Sequence, residues 1–433
     1  MRKRHIILIL IIIILIILIA ASSFNKAGRY VKATCELPPS ESINHITGTD
    51  DFIILTSSLN NNNKIHILDK LNLKPLNNIN PGKINIPPVF FKGLIIVDTH
   101  NLKKNFINIF EPLTSNLLWK DQYYSKKWSY IIHEDKIYYV DVAGSIKNVN
   151  IHTKLPEWKI KIENGFYNST RPVISGNRFY ICNHDQILAI NRKNSEVIYN
   201  FKIPSKAVEC TFEEDIAAIL TDEDNVYVVD LVQSKYIWEY KYVSLFSKST
   251  IDIIRDQYLA LLNTINLTDV HKTTRGKIIT KEQQIIYVID LFTGQAIWQK
   301  GLKYSLDINK LKKYISNNIV VIQTTGGSLT AFNMKSGNKI WRFYNKDFPT
   351  PDLPYIIDKD RVIVALEDKK GSKVYVIDKT AGNIQSKIEV PNCFKDSLDP
   401  LLDKNNIYLT CKNHSVTMIK LPESVKKLKP KKD

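Results

Sequence analysis

The sequence predicts an all-β fold assembled from one repeated four-stranded unit that follows an N-terminal hydrophobic helix. Three observations lead there. A tight-turn pattern recurs along the chain, five of the six tryptophans occupy a single slot of that pattern, and the segments between turns are short runs of alternating bulky residues.

Taken in order, the chain opens with Arg2, Lys3 and Arg4 before an unbroken apolar run from Ile6 to Ala21. Charge followed by an apolar run is the pattern of an export signal, and the run also approaches the length of a membrane span. Residues 1–24 therefore read either as a cleaved signal peptide, with Ala20, Ala21, Ser22 and Ser23 as small residues near the cut, or as a single transmembrane anchor. The nearest cysteine, Cys35, lies too far beyond the run to accept a lipid there. Residues 25–42 read as a linker. The body of the protein is then expected on the periplasmic side of the cell envelope, held by residues 6–21 or released by cleavage.

Residues 43–421 read as the repeated body. Its clearest copies are Tyr287-Val-Ile-Asp290-Leu-Phe-Thr-Gly294-Gln-Ala-Ile-Trp298 and Thr330-Ala-Phe-Asn333-Met-Lys-Ser-Gly337-Asn-Lys-Ile-Trp341. Weaker copies place the polar anchor at Asp69, Glu111, Asn150, Asn191, Asp230 and Asp378, and a final half copy ends near Lys420. Successive anchors are 39 to 45 residues apart, except for 60 between Asp230 and Asp290, where the hairpin 264–284 is longer than its equivalents. Eight positions after an anchor lie Trp119, Trp158, Trp238, Trp298 and Trp341, with Tyr199 in the same slot; Trp128 falls outside it.

An Asp or Asn that bonds the following backbone N–H groups, with a glycine such as Gly294, Gly337 or Gly382 four residues on at positive φ, suits a tight hairpin turn. Alternating apolar residues on either side predict half-buried antiparallel strands. Four such strands per ~40 residues, repeated around an axis, describe a β-propeller blade. Merging the weak first copy with the C-terminal strands near 407–419 closes the ring at eight blades and hides the end strands' edges, with seven or nine blades the other counts the anchors allow. Residues 422–433, with Lys426, Lys427, Lys429, Lys431 and Lys432, read as a basic disordered tail.

With turn and tryptophan in place, the unit resembles the pyrroloquinoline-quinone (PQQ)-type propeller repeat over about residues 43–421. The resemblance implies that Trp119, Trp158, Trp238, Trp298 and Trp341 pack between neighbouring blades, a structural role shared with the turn residues Asp230, Asp290, Asn333 and Asp378. Two branches of the family carry different implications. Quinoprotein dehydrogenases hold PQQ and calcium, stack the cofactor on a disulfide between adjacent cysteines and use an Asp base; this chain has no adjacent cysteine pair. BamB-like members carry no cofactor and dock proteins during outer-membrane protein assembly. That second branch implies a non-enzymatic exported scaffold with protein partners, no cofactor, no small-molecule substrate and no catalytic or metal residues. An envelope sensor or adhesion propeller, or a PQQ-dependent dehydrogenase, are the alternative readings.

Composition narrows the rest. Hydrophobic content of 44% with 24% charged residues is globular, and 15 glycines exclude Gly-rich low complexity. Five scattered cysteines exclude a disulfide scaffold or zinc ribbon and leave room for one or two disulfides in an oxidising compartment. No Walker A, GxGxxG or GxSxG motif occurs. The net charge of +17 is spread along the chain, and export argues against nucleic acid as its partner.

Overall fold

The computed structural model describes residues 31–421, apart from short stretches of which 162–171, 268–280, 303–314, 345–354 and 391–399 are the longest. The hydrophobic N-terminal segment, Trp128, the basic tail and the tip of the long hairpin lie outside the described residues. Every regular element described is a strand. No helix among these residues is long and apolar enough to cross a membrane.

Strand β1 spans Val31–Glu36. The first repeat unit comprises β2 (Ser42–Gly48), β3 (Phe52–Leu59), β4 (Asn62–Asp69) and the first part of β5 (Pro75–Phe91). The rest of β5 pairs with β6 (Leu94–Asn101), which continues into β7 (Lys104–Phe110) and β8 (Leu117–Tyr123) as the second unit. Six further antiparallel sheets of four consecutive strands occupy residues 131–161, 173–202, 207–241, 246–302, 315–343 and 355–390. The last unit joins β33 (Leu401–Asp403), β34 (Asn406–Cys411) and β35 (Ser415–Lys420) to β1.

Among the described residues the strands thus make nine four-stranded units, where eight were expected. The difference has a simple origin. The first copy is not shared with the C-terminus, because β5 gives it a fourth strand before bending at Gly82 (φ +90°) into the second unit. The C-terminal hairpin instead takes Val31–Glu36, from the stretch expected to be linker, as its outermost strand, with Thr34 opposite Thr417.

The core is a ring of seams. In Ile137-Tyr138-Tyr139-Val140, Ile137 and Tyr139 pack towards the second unit, while Tyr138 and Val140 pack towards the fourth. Successive side chains of a strand point to opposite faces, so a strand covered on both faces must be apolar throughout. The middle strands are therefore buried on both sides rather than half-buried. Among the described residues nine hydrophobic clusters each join one unit to the next, and the one containing Cys35, Ile46, Leu55, Tyr408 and Met418 closes the last unit onto the first. Lys70 reinforces that closure through Asp403 at 2.9 Å, and the Tyr408 hydroxyl donates to the Lys70 carbonyl at 3.2 Å.

Each unit therefore has two ends. One end of the ring, here the turn face, carries the hairpins between first and second and between third and fourth strands. The other, the link face, carries the hairpins between second and third strands and the links between units.

Candidate functional site

The turn face is built from the anchors. The Asp290 carboxylate accepts the N–H groups of Phe292 and Thr293 at 3.1 and 2.8 Å, and the Asn333 side chain accepts those of Lys335 and Ser336 at 2.9 and 3.1 Å. Asp378 does the same for Thr380 and Ala381, and Asp230 accepts from Gln233. These bonds hold the Asp290 carboxyl below its usual range, the backbone bond from Thr293 contributing most. All four anchors are consumed by their own turns and do not converge on a common centre.

The residue four places after each anchor adopts a positive φ, between 51° and 73°, at Leu73, Ser115, Lys154, Ser195, Ser234, Gly294, Gly337 and Gly382. The fourth strand then carries one extra residue: Val288 pairs with Trp298 and Ile289 with Ala296, leaving Ile297 as a bulge. The same shift precedes Trp119, Trp158, Trp238 and Trp341. Such a bulge re-aims the next side chain, and the next side chain here is the indole.

The indoles reach across the seams. Trp158, Trp238, Trp298 and Trp341 donate to the carbonyls of Arg192, Leu291, Met334 and Lys379 at 2.6–2.9 Å, in each case the residue after the next unit's anchor. Trp119 packs edge-on to Tyr139 of the following unit. Trp298 and Trp341 are buried, whereas Trp119, Trp158 and Trp238 are half-buried. A Cβ on Gly294, Gly337 or Gly382 would meet Trp238, Trp298 or Trp341 at 3.0, 2.5 and 2.5 Å. These glycines thus serve both a left-handed turn and the close approach of the preceding unit's indole.

Two features were not legible as motifs. Cys182, on the second strand of the fourth unit, is disulfide-bonded to Cys210 on the first strand of the fifth; Cys411 is also disulfide-bonded. On the link face of the first unit, Ser57, His66 and Glu41 form a buried cluster. The Ser57 hydroxyl donates to Glu41 at 2.6 Å, and His66 Nε2 lies 2.8 Å from both. Burial pushes the imidazole towards its neutral form. A serine nucleophile needs its base and the base's orienting acid on different ring nitrogens, with the hydroxyl open to substrate. Here both contacts use Nε2 and Ser57 is fully buried, so the cluster is a closed polar plug rather than a hydrolytic triad. Among the described residues no group of three His, Cys, Asp or Glu could hold a metal ion. The described disulfide joins cysteines in neighbouring units, so it offers no adjacent-cysteine platform of the quinoprotein kind.

Residues 262–423 match the family model described as outer membrane protein assembly factor BamB. A search of curated proteins finds no match. Among solved structures, the designed Ika8 protein is similar at 12% identity and a TM-score of 0.51, covering 90% of this chain and 100% of its own. BamB from Moraxella catarrhalis aligns at 14% identity and 0.47, covering 90% and 98%. A europium-containing methanol dehydrogenase aligns at 9% and 0.44, covering 79% and 84%. The chain folds as a β-propeller, and its residues 262–423 are similar to the family described as outer membrane protein assembly factor BamB.

Proposed function

We propose that this protein is a non-enzymatic exported scaffold that assists outer-membrane protein assembly by docking other proteins. The observation that carries the reading is the match of residues 262–423 to the BamB family model, on a ring whose polar anchors are used up in turns. The closed Ser57–His66–Glu41 cluster supports it, since the described site that most resembles hydrolytic chemistry is inaccessible to substrate. On this reading the ring works on the periplasmic side of the envelope, and residues 6–21 tether it to the inner membrane or are removed on export. Its partners are proteins of the outer-membrane assembly machinery; nucleic acid, cofactor and small-molecule substrate play no part.

Recovery of partners from cross-linked envelopes tests the proposal. The full chain should bring down outer-membrane assembly components, and their consistent absence from a pull-down that recovers other envelope proteins would refute it. Incubation with PQQ and calcium should leave no cofactor absorbance on the repurified protein.

A further inference from the structure

We infer that the turn face of the ring lies against a phospholipid bilayer bearing anionic headgroups. The inference rests on the membrane-side location proposed above, and it adds an orientation that no feature of the repeat alone would give.

Both chain ends leave the ring on this face. Strand β1 starts at Val31 opposite Ile419, and Leu421 N–H closes onto the Asn405 carbonyl in a hairpin of the turn face. The chain preceding Val31 contains the apolar run Ile6–Ala21, and the chain following Leu421 contains five lysines between Lys426 and Lys432. The apolar run and the cationic segment therefore attach at one unit and on one side of the ring. An apolar segment inserted in a bilayer, with lysines drawn to anionic headgroups, would bring that side down onto the membrane.

The face carries matching chemistry. The position two after the anchor, at the tip of the turn, holds Leu71, Leu113, Val232 and Phe292, which are 81%, 59%, 54% and 53% exposed. Leu155 ends the corresponding turn of the third unit and is 66% exposed. Turn tips ordinarily carry polar residues, and these apolar tips lie on the face from which both chain ends leave. The remaining tips are polar and exposed, Lys193 and Lys335 in two units and His152 and Thr380 in the other two, and Lys74 and Lys404 are exposed nearby. Asp51, Glu134 and Glu214 also lie exposed on this face. Apolar tips interspersed with lysines suit the boundary between headgroups and acyl chains, where both kinds of side chain find partners.

Photo-crosslinking of the full chain in vesicles of phosphatidylethanolamine and phosphatidylglycerol (about 3:1) tests the orientation. A benzophenone amino acid would replace Leu71, Phe292 or, on the link face, Val142, which is 55% exposed. Intact-mass analysis should find phospholipid adducts at Leu71 and Phe292 at several-fold the yield at Val142. Equal yields at all three positions, a higher yield at Val142, no lipid adducts, or adducts to protein in place of lipid would each overturn the inference. Loss of assembly partners in the pull-down leaves these lipid yields unchanged, so the two proposals fail separately.

Discussion

Trp298 and Met334 meet across a seam: the indole nitrogen of one unit donates to a backbone carbonyl of the next at 2.7 Å. The bond ties the fourth strand of one sheet to the turn of its neighbour, and Trp341 repeats it on Lys379. Each such contact fills the seam with a large ring and satisfies a carbonyl that the turn itself does not use.

Truncating these rings should therefore loosen the whole ring. Loss of a buried Trp costs roughly 3–5 kcal/mol, so Trp298→Ala and Trp341→Ala should lower the melting temperature strongly. Trp158 is half-buried, and Trp158→Ala should cost clearly less. Trp298→Phe should fall between, since it keeps most of the ring but leaves a carbonyl unpaired at about 1–3 kcal/mol. Thermal unfolding followed by circular dichroism gives the order.

Gly337→Ala should be more damaging than Gly93→Ala, although both residues have positive φ. At Gly93 the added methyl meets nothing, and the cost is the left-handed backbone alone, about 1–2 kcal/mol. At Gly337 the methyl also lands 2.5 Å from Trp298, adding roughly 1–3 kcal/mol of overpacking. Replacing Trp298 by Ala as well should recover that extra part, which a double-mutant cycle measures.

The repeat was readable because its spacing is regular and its tryptophan is rare. What the spacing conceals is the direction of the contacts. Gly294 and Trp298 look like one motif, yet Gly294 packs on Trp238 of the preceding unit, and Trp298 packs on Gly337 of the following one. The closing strand Val31–Glu36 lacks an anchor and a tryptophan, so nothing in its sequence marks it as part of a blade. Glu41, Ser57 and His66 share no motif and occur once, and only the pairing of β3 with β4 beside the start of β2 brings them together.

That cluster should make stability sensitive to mild acid. Burial lowers the His66 pKa below its ordinary value despite the neighbouring Glu41, with Lys64 also facing it and Asn78 bonding it. The unfolded chain therefore takes up a proton at higher pH than the folded one does. The contribution is fully present above about pH 6.5 and is lost as pH falls from there towards the folded value. Burial raises Glu41, but hydrogen bonds from Ser57 and His66 outweigh it and leave the carboxyl lowered, so its contribution is lost further down in acid. His66→Gln should flatten the dependence of melting temperature on pH between about 7 and 5. An unchanged slope would assign the acid response to other groups.

Cysteine trapping tests whether β1 closes the ring of nine described units. Thr34 and Thr417 face each other across the closing pair, with their hydroxyl oxygens 3.4 Å apart. In a Cys35→Ser background, Thr34→Cys with Thr417→Cys should oxidise readily and give a faster-migrating species on a non-reducing gel. Ser42→Cys with Ser58→Cys, opposite each other within the first unit, provides the positive control. Both pairs should cross-link in the folded protein. Cross-linking of the control alone, or of Ile43→Cys with Val416→Cys in place of the closing pair, would contradict it and restore a ring in which the first unit is shared with the C-terminus.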